Sequence, residues 1–312
     1  MQTKLDEAKA ELLERAARVA ENSPVGGHLP TGNTGEATPD RDTVLSFLQR
    51  YYLHTAPEDL TDRDPVDVFG AAFSHYRLAE ARPQGTANVR VHTPTVEENG
   101  WTCSHSVVEV VTDDMPFLVD SVTNELTRQG RGIHVVIHPQ VIVRRDVTGK
   151  LVEVLSTPPA AEDRPHDAHT ESWIHVEIDR ETDRADLKQI TADLLRVLSD
   201  AREAVEDWEK MRDAAMRLSE NLAEEHVPGD LPGPEVEEAR ELLQWLAADH
   251  FTFLGYREYE LRQDDSLAAV PGTGLGILRS DPHHAGDDAH LCLLYTQPLL
   301  RAAARRRPCQ GP

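Results

Sequence analysis

Cysteine is scarce in this chain: Cys103, Cys292 and Cys309 are all there is, and no two stand in a C-x-x-C pair. A disulfide framework and a cysteine-rich zinc site are therefore excluded. Positive charge is short as well, with 32 Lys and Arg against 55 Asp and Glu and a formal charge of -23 at pH 7. The cations that neutralise phosphates in a nucleic-acid interface are missing in bulk, so no nucleic acid is expected as a partner, and no anionic membrane surface. No apolar run approaches the ~18 residues that cross a bilayer, and the first stretch, 1–22, carries a charge every few residues. Secretion and membrane spanning are not expected; the chain reads as cytoplasmic. What remains is ordinary globular composition, 39% hydrophobic and 28% charged, at a length of 312 residues that suits about two domains.

Leu5, Ala8, Leu12, Ala16 and Val19 recur at three and four, which predicts an amphipathic helix over 3–21. The Pro- and Gly-rich stretch that follows has almost no large apolar side chain, so residues 1–42 read as a helix and a disordered linker. Residues 43–86 are a helical section: Val44, Phe47, Leu48 and Tyr51 share one face, and a second helix starts at Pro65 after an Asp64 cap. From residue 87 the period changes to two. Asn88–His92 and Ser106–Thr112 alternate or run Val-rich, with Asn99-Gly100 between them as a hairpin signal. A helix follows, with Asp113 and Asp114 offering capping oxygens, Pro116 in its first turn, Leu118, Val122 and Leu126 on one face and Gly130 as its stop.

Strands are predicted at 133–137, 140–144 and 151–155, and after a loop at 157–170 another spans Ser172–Ile178. There Ile174, Val176 and Ile178 oppose Trp173, His175 and Glu177, the pattern of a half-buried antiparallel strand. A three-four repeat then runs from Leu187 through Ile190, Leu194, Val197, Ala201, Ala204, Trp208, Met211, Ala215 and Leu218 to Leu222 without Gly or Pro. It predicts one long helix, about 184–224, that closes the 87–224 module and whose seam packs on another helix or chain. Residues 233–282 restart with a helix and a strand at Phe251–Leu261 that opens a further sheet. The segment 283–312 sets Arg301, Arg305, Arg306 and Arg307 against Asp287 and Asp288, a reversal of the charge balance before it. Reading of a GC-rich gene out of frame gives such an aberrant tail, and so does a basic disordered one.

Candidate chemistry is thin. Gly272 and Gly274 have the first spacing of G-x-G-x-x-G, but position 277 is Ile and no crossover helix follows, so a mobile inter-strand turn is expected rather than a phosphate cradle. His166 and His169 lie near Asp163, Asp167 and Glu171, a set that could hold a metal; a solvated loop is the simpler reading, because nothing fixes ligand geometry. No metal site is expected. His134 and His138 stand about 13 Å apart along a strand, too far for one ion, and read as surface histidines. None of Lys4, Lys9, Lys150, Lys188 and Lys210 has a pocket-like context, so no catalytic residue is nominated. The turn Asp114-Met115-Pro116-Phe117 is different. Between a strand and a helix N-terminus it offers free backbone N–H groups to a carboxylate, although a plain cap is the simpler reading and the aspartates would repel an anion.

The segments TDDMPFLVDSV (112–122), ESWIHVEID (171–179), ADHFTFLGYREY (248–259) and VPGTGLGILR (270–279) resemble the N-terminal region of the large bacterial NAD-specific glutamate dehydrogenases, over about 42–281. The resemblance implies an α+β fold: a ferredoxin-like, ACT-like antiparallel sheet with helices, preceded by short helices and followed by a long helix and an incomplete second ACT-like module. It implies the family reaction, oxidative deamination of L-glutamate to 2-oxoglutarate and ammonium, with NAD as the cofactor of the full-length enzyme and none expected in this chain. The catalytic region would lie beyond residue 312, so this chain alone is expected to be inactive. ACT modules that bind amino acids carry Asp-x-Pro-Gly; here Asp114, Met115 and Pro116 are followed by Phe117, which leaves ligand binding at that turn open. Expected partners are other subunits or the missing catalytic region through the long helix, and an amino-acid effector, with a homo-oligomer as the assembly. The alternatives to a truncated or split regulatory portion are a free-standing amino-acid-sensing module and a non-functional remnant.

Overall fold

The computed structural model describes residues 2–22, 41–155, 165–223, 233–262 and 266–280. Most of the predicted linker, most of the 157–170 loop and the whole 283–312 tail lie outside them. The chain divides into two compact units, 1–199 and 200–312.

In the first unit, α1 (Gln2–Asn22), α2 (Arg41–Tyr51) and α3 (Pro65–Ala79) pack together. The predicted stripe holds in α1, where Leu12, Leu13, Ala16 and Ala17 are buried. Asp64 caps α3, accepting a hydrogen bond from Val66 N at 2.8 Å, with Pro65 in the first turn as expected. Lys9 does more than its sequence context suggests. Its Nζ donates to the carbonyls of Tyr52 and Thr55, each at 2.7 Å, and fastens α1 to the end of α2, where orphan carbonyls attract a cation.

The sheet is antiparallel throughout, in the order β1 (Asn88–His92), β2 (Ser106–Asp113), β6 (Ala168–Ile178), β4 (Gln140–Arg145), β5 (Leu151–Val154). β3 (Ile133–Ile137) pairs with the far half of β6. Between β2 and β3 runs α5 (Leu118–Arg128), and α6 (Arg184–Ala223) follows β6. The result is a ferredoxin-like arrangement whose edge beside β2 is filled from upstream in the chain, by β1 rather than by a strand after α6. The 99–100 pair is not the hairpin turn between β1 and β2. It closes a short helix, α4 (Val96–Asn99), capped by Thr95, and Gly100 at φ 76 is its left-handed C-cap.

β6 is also more deeply placed than its alternation implies. Ile174, Val176 and Ile178 meet Leu118, Val122 and Leu126 of α5 and Ile190, Leu194 and Leu198 of α6. The opposite face, Trp173, His175 and Glu177, is equally buried, because α1–α3 form a second covering layer. Glu177 meets Arg63 and His105 there and Trp173 Nε1 donates to Glu171, so these two need no water, while the buried His175 ring has no hydrogen-bond partner.

α6 has the predicted extent. Beyond the first unit its buried stripe rotates: Ala204, Asp207, Met211, Ala214, Ala215 and Ser219 are buried, while Trp208 is only half-buried and Leu218 is exposed. A straight helix drifts by about 20° per heptad, so a strict seam cannot persist along it. In the second unit, α7 (Gly233–Trp245) ends in a wide turn at 246–250, kinked at Ala248 and Asp249. The predicted strand at Phe251–Leu261 resolves into β7 (Gly255–Tyr256) and β8 (Tyr259–Leu261), paired with β10 (Leu275–Gly276) and β9 (Leu267–Ala269). Phe251 and Leu254 stay exposed and outside it. No described helix is long and apolar enough to cross a membrane.

Candidate functional site

The turn from β2 into α5 places Asp114, Met115, Pro116 and Phe117 together, three of them exposed and Met115 half-buried. Neither aspartate caps the helix. The N-cap is Phe117, at φ 70 and without a side-chain hydrogen bond, so the first turn of α5 keeps N–H groups that no side chain satisfies. This left-handed conformation costs an L-residue roughly 1–2 kcal/mol, and it is the one a glycine holds freely. The backbone of an Asp-x-Pro-Gly turn is thus retained with a phenylalanine in the glycine's place.

Asp113 points instead to Arg82, whose Nη2 donates to Oδ1 at 2.7 Å, and accepts from Gly85 N at 3.1 Å. Asp114 accepts from Ser172 Oγ at 2.5 Å and from Gln140 Nε2 at 3.0 Å. Since the Ser172 proton goes to Asp114, the His138 Nε2–H must donate to Ser172 Oγ, at 3.0 Å. Burial lowers the His138 pKa against the opposing charge of Asp114. His138 is therefore no free surface histidine, whereas His134 is exposed and pairs with Asp179. Nothing in their own segments marks Ser172 and Gln140, and His138 reads there as a surface histidine; only the pairing of β4 with β6 brings them to the turn.

Beneath the turn, Glu171 is fully buried between Arg82 and Arg145, 2.6 Å from each. Burial would raise its carboxyl, but the arginines and His169 hold it well below the usual carboxylate range. Asp167 pairs with Arg144 at 2.8 Å. Of the His166, His169, Asp167 and Glu171 set, Glu171 and His169 thus pair with each other and Asp167 pairs with Arg144; Asp163 lies outside the described residues. Further along the sheet, Glu109 of β2 and Glu177 of β6 are buried too, and His92, Arg90 and His75 keep Glu109 at about 2 against its burial. Gly272 and Gly274 lie in the connection from β9 to β10, and Gly276 stands in β10 itself. A Cβ at Gly274 would stand 2.0 Å from Leu278 O, and one at Gly276 would stand 2.2 Å from Leu254 O, so these glycines serve backbone packing.

An exposed carboxylate beside an uncapped helix N-terminus, on a ferredoxin-like sheet, is what a family comparison can test. The family model of the glutamate dehydrogenase ACT1 domain matches residues 47–194, from α2 into α6. The chain belongs to the NAD-specific glutamate dehydrogenase family, as part of its N-terminal region. It is 39% identical over 241 residues to the NAD-specific glutamate dehydrogenase of Halomonas elongata, 76% of this chain and 15% of that protein. It is 35% identical to that of Pseudomonas aeruginosa over 71% of this chain and 13% of the relative. With that of Mycobacterium tuberculosis it shares 29% identity over 70% of this chain and 13% of the relative. The chain therefore spans a small fraction of the length of these relatives.

Proposed function

We propose that this chain is the regulatory and assembly portion of a cytoplasmic NAD-specific glutamate dehydrogenase, and that the Asp114–Phe117 turn receives a free amino acid. The family's oxidative deamination of L-glutamate with NAD then belongs to a catalytic region that this chain does not supply. The observation carrying the effector reading is the pairing at the turn: Asp114 is exposed and ionisable, and three residues on α5 begins without a side-chain cap. An α-amino acid presents the complement, an ammonium for the carboxylate and a carboxylate for the helix N-terminus. The positive charge of the ligand offsets the repulsion that Asp113 and Asp114 would impose on a bare anion.

Calorimetric titration of the chain with L-amino acids, L-glutamate included, tests this. One of them binds, and Asp114→Asn weakens it roughly tenfold or more, the worth of a charge-assisted hydrogen bond. If no amino acid binds, or if Asp114→Asn binds as well as the parent, the turn is only a helix entry. The alternative, a free-standing sensing module, is favoured if the ligand binds but the chain neither self-associates nor captures a separately expressed catalytic region.

A further inference from the structure

Where the chain enters β2 and where β6 ends, three metal-ligating side chains converge. One ligand atom each from Cys103, His105 and Glu177 lies within 4.8 Å of the others. His105 Nδ1 is 3.2 Å from Glu177 Oε2, and the His105 backbone N–H donates to Cys103 Sγ at 3.5 Å. The sheet register explains the meeting: Glu177 is paired with Val107, so the loop leading into β2 folds over the end of β6. The His105 ring is fixed in plane by stacking on His134, 4.0 Å between centroids, and His134 is in turn held by Asp179. A second observation points the same way. His175, on the same face of β6, is fully buried, its Nε2 is 3.5 Å from Glu177 Oε1, and neither of its ring nitrogens has a hydrogen-bond partner. A buried donor without a partner calls for an explanation such as an ion.

We propose that Cys103, His105 and Glu177 form a site for a zinc-class divalent cation, with His175 as the buried donor beside it. A thiolate, an imidazole and a carboxylate suit Zn²⁺ or Co²⁺, whereas Mg²⁺ and Ca²⁺ prefer oxygen alone. Two features set the terms of binding. The ligand is the thiolate, so the cation must displace the thiol proton: Cys103–SH and M²⁺ become the thiolate complex and a released H⁺. Glu177 is meanwhile neutralised by Arg63, whose Nη1 and Nη2 reach its two oxygens. Arg63 stands just before α3 and keeps 26% of its side chain in solvent, so it can yield to a cation and withdraw into water. Metal and Arg63 therefore compete for one carboxylate, and the ion would exchange a tie between the helical layer and the sheet for one within the sheet.

The test is a Co²⁺ titration of the full chain, reduced, with Cys292 and Cys309, which lie outside the described residues, replaced by Ser. The expected result is the intense visible spectrum of a tetrahedral site with a sulfur-to-cobalt charge-transfer band, both bleached by Zn²⁺. Cys103→Ser removes the sulfur band and weakens binding by roughly tenfold or more; His105→Gln, a second variant on the same edge, weakens it likewise. Arg63→Gln tightens binding, the opposite of what a general loss of structure would give. Weak octahedral bands alone, a sulfur band that survives Cys103→Ser, or an Arg63→Gln affinity no tighter than the parent's overturns the site.

Discussion

Phe117 holds a backbone conformation that suits glycine, in the open at 46% exposure, and this sets the sign of a substitution there. Phe117→Gly should relieve roughly 1–2 kcal/mol of left-handed strain and give back about 0.5–1 kcal/mol as chain entropy. The net is a stabilisation of up to about 1.5 kcal/mol, and Phe117→Val, β-branched, should destabilise; urea denaturation of the two variants measures both. Arg82 is the opposite case, fully buried with Glu171 and Asp113 on one guanidinium. Arg82→Met should cost on the order of 3–5 kcal/mol, and pairing it with Glu171→Gln should recover part of the loss in the same assay. The Asp114–Phe117 turn was legible from the sequence because its signals are local: strand, Asp-x-Pro, helix. The true partners of its aspartates were not, since Arg82 and Ser172 lie 31 and 58 residues away and only the fold brings them close.

At the scale of elements, periodicity located α1, α3, α5, α6 and the strands of the sheet, and it misjudged how they are covered. β6 alternates, so one apolar face reads as buried and the other as wet. Nothing in the strand itself reveals that the face of His175 and Glu177 is covered, because a buried polar face looks in sequence like a solvated one. The same limit appears on α6. Leu194 is 0% exposed, packed with Ile174 and Ile178, whereas Trp208 has turned partly to solvent. Leu194→Ala should therefore cost about 2–5 kcal/mol, and Trp208→Ala distinctly less despite the larger side chain. Thermal melts of the two variants decide the order, and a larger loss at Trp208 would restore the strict heptad seam.

The molecule as a whole carries 55 carboxyl side chains against 32 cationic ones, yet it buries Glu109, Glu171 and Glu177 in its sheet. If the proposed function holds and the NAD-dependent chemistry belongs to another region, NADH should not appear when these 312 residues are mixed with NAD and L-glutamate; absorbance growth that depends on glutamate would refute this. Acid stability is the more telling whole-molecule property. His75, fully buried, donates from Nε2 to Val110 O at 3.0 Å and accepts at Nδ1 from Tyr51 Oη at 2.9 Å, a pattern only the neutral ring can hold. Burial lowers its pKa from 6.5 to about 4. Between those values the unfolded chain binds the extra proton, so stability falls as pH drops from 6.5 to 4, by on the order of 3 kcal/mol. The depressed carboxyls act lower: Glu109, at about 2 against an ordinary 4.5, contributes fully above 4.5 and is lost as pH falls toward 2. The diffuse repulsion among surface carboxylates runs the other way, relaxing on acidification, but it is screened by salt while the buried groups are not. In urea melts at high salt, His75→Gln, which can keep both hydrogen bonds, should flatten the 6.5 to 4 limb and leave the fall below 4.5 in place. A limb that persists unchanged in His75→Gln would assign it to other groups.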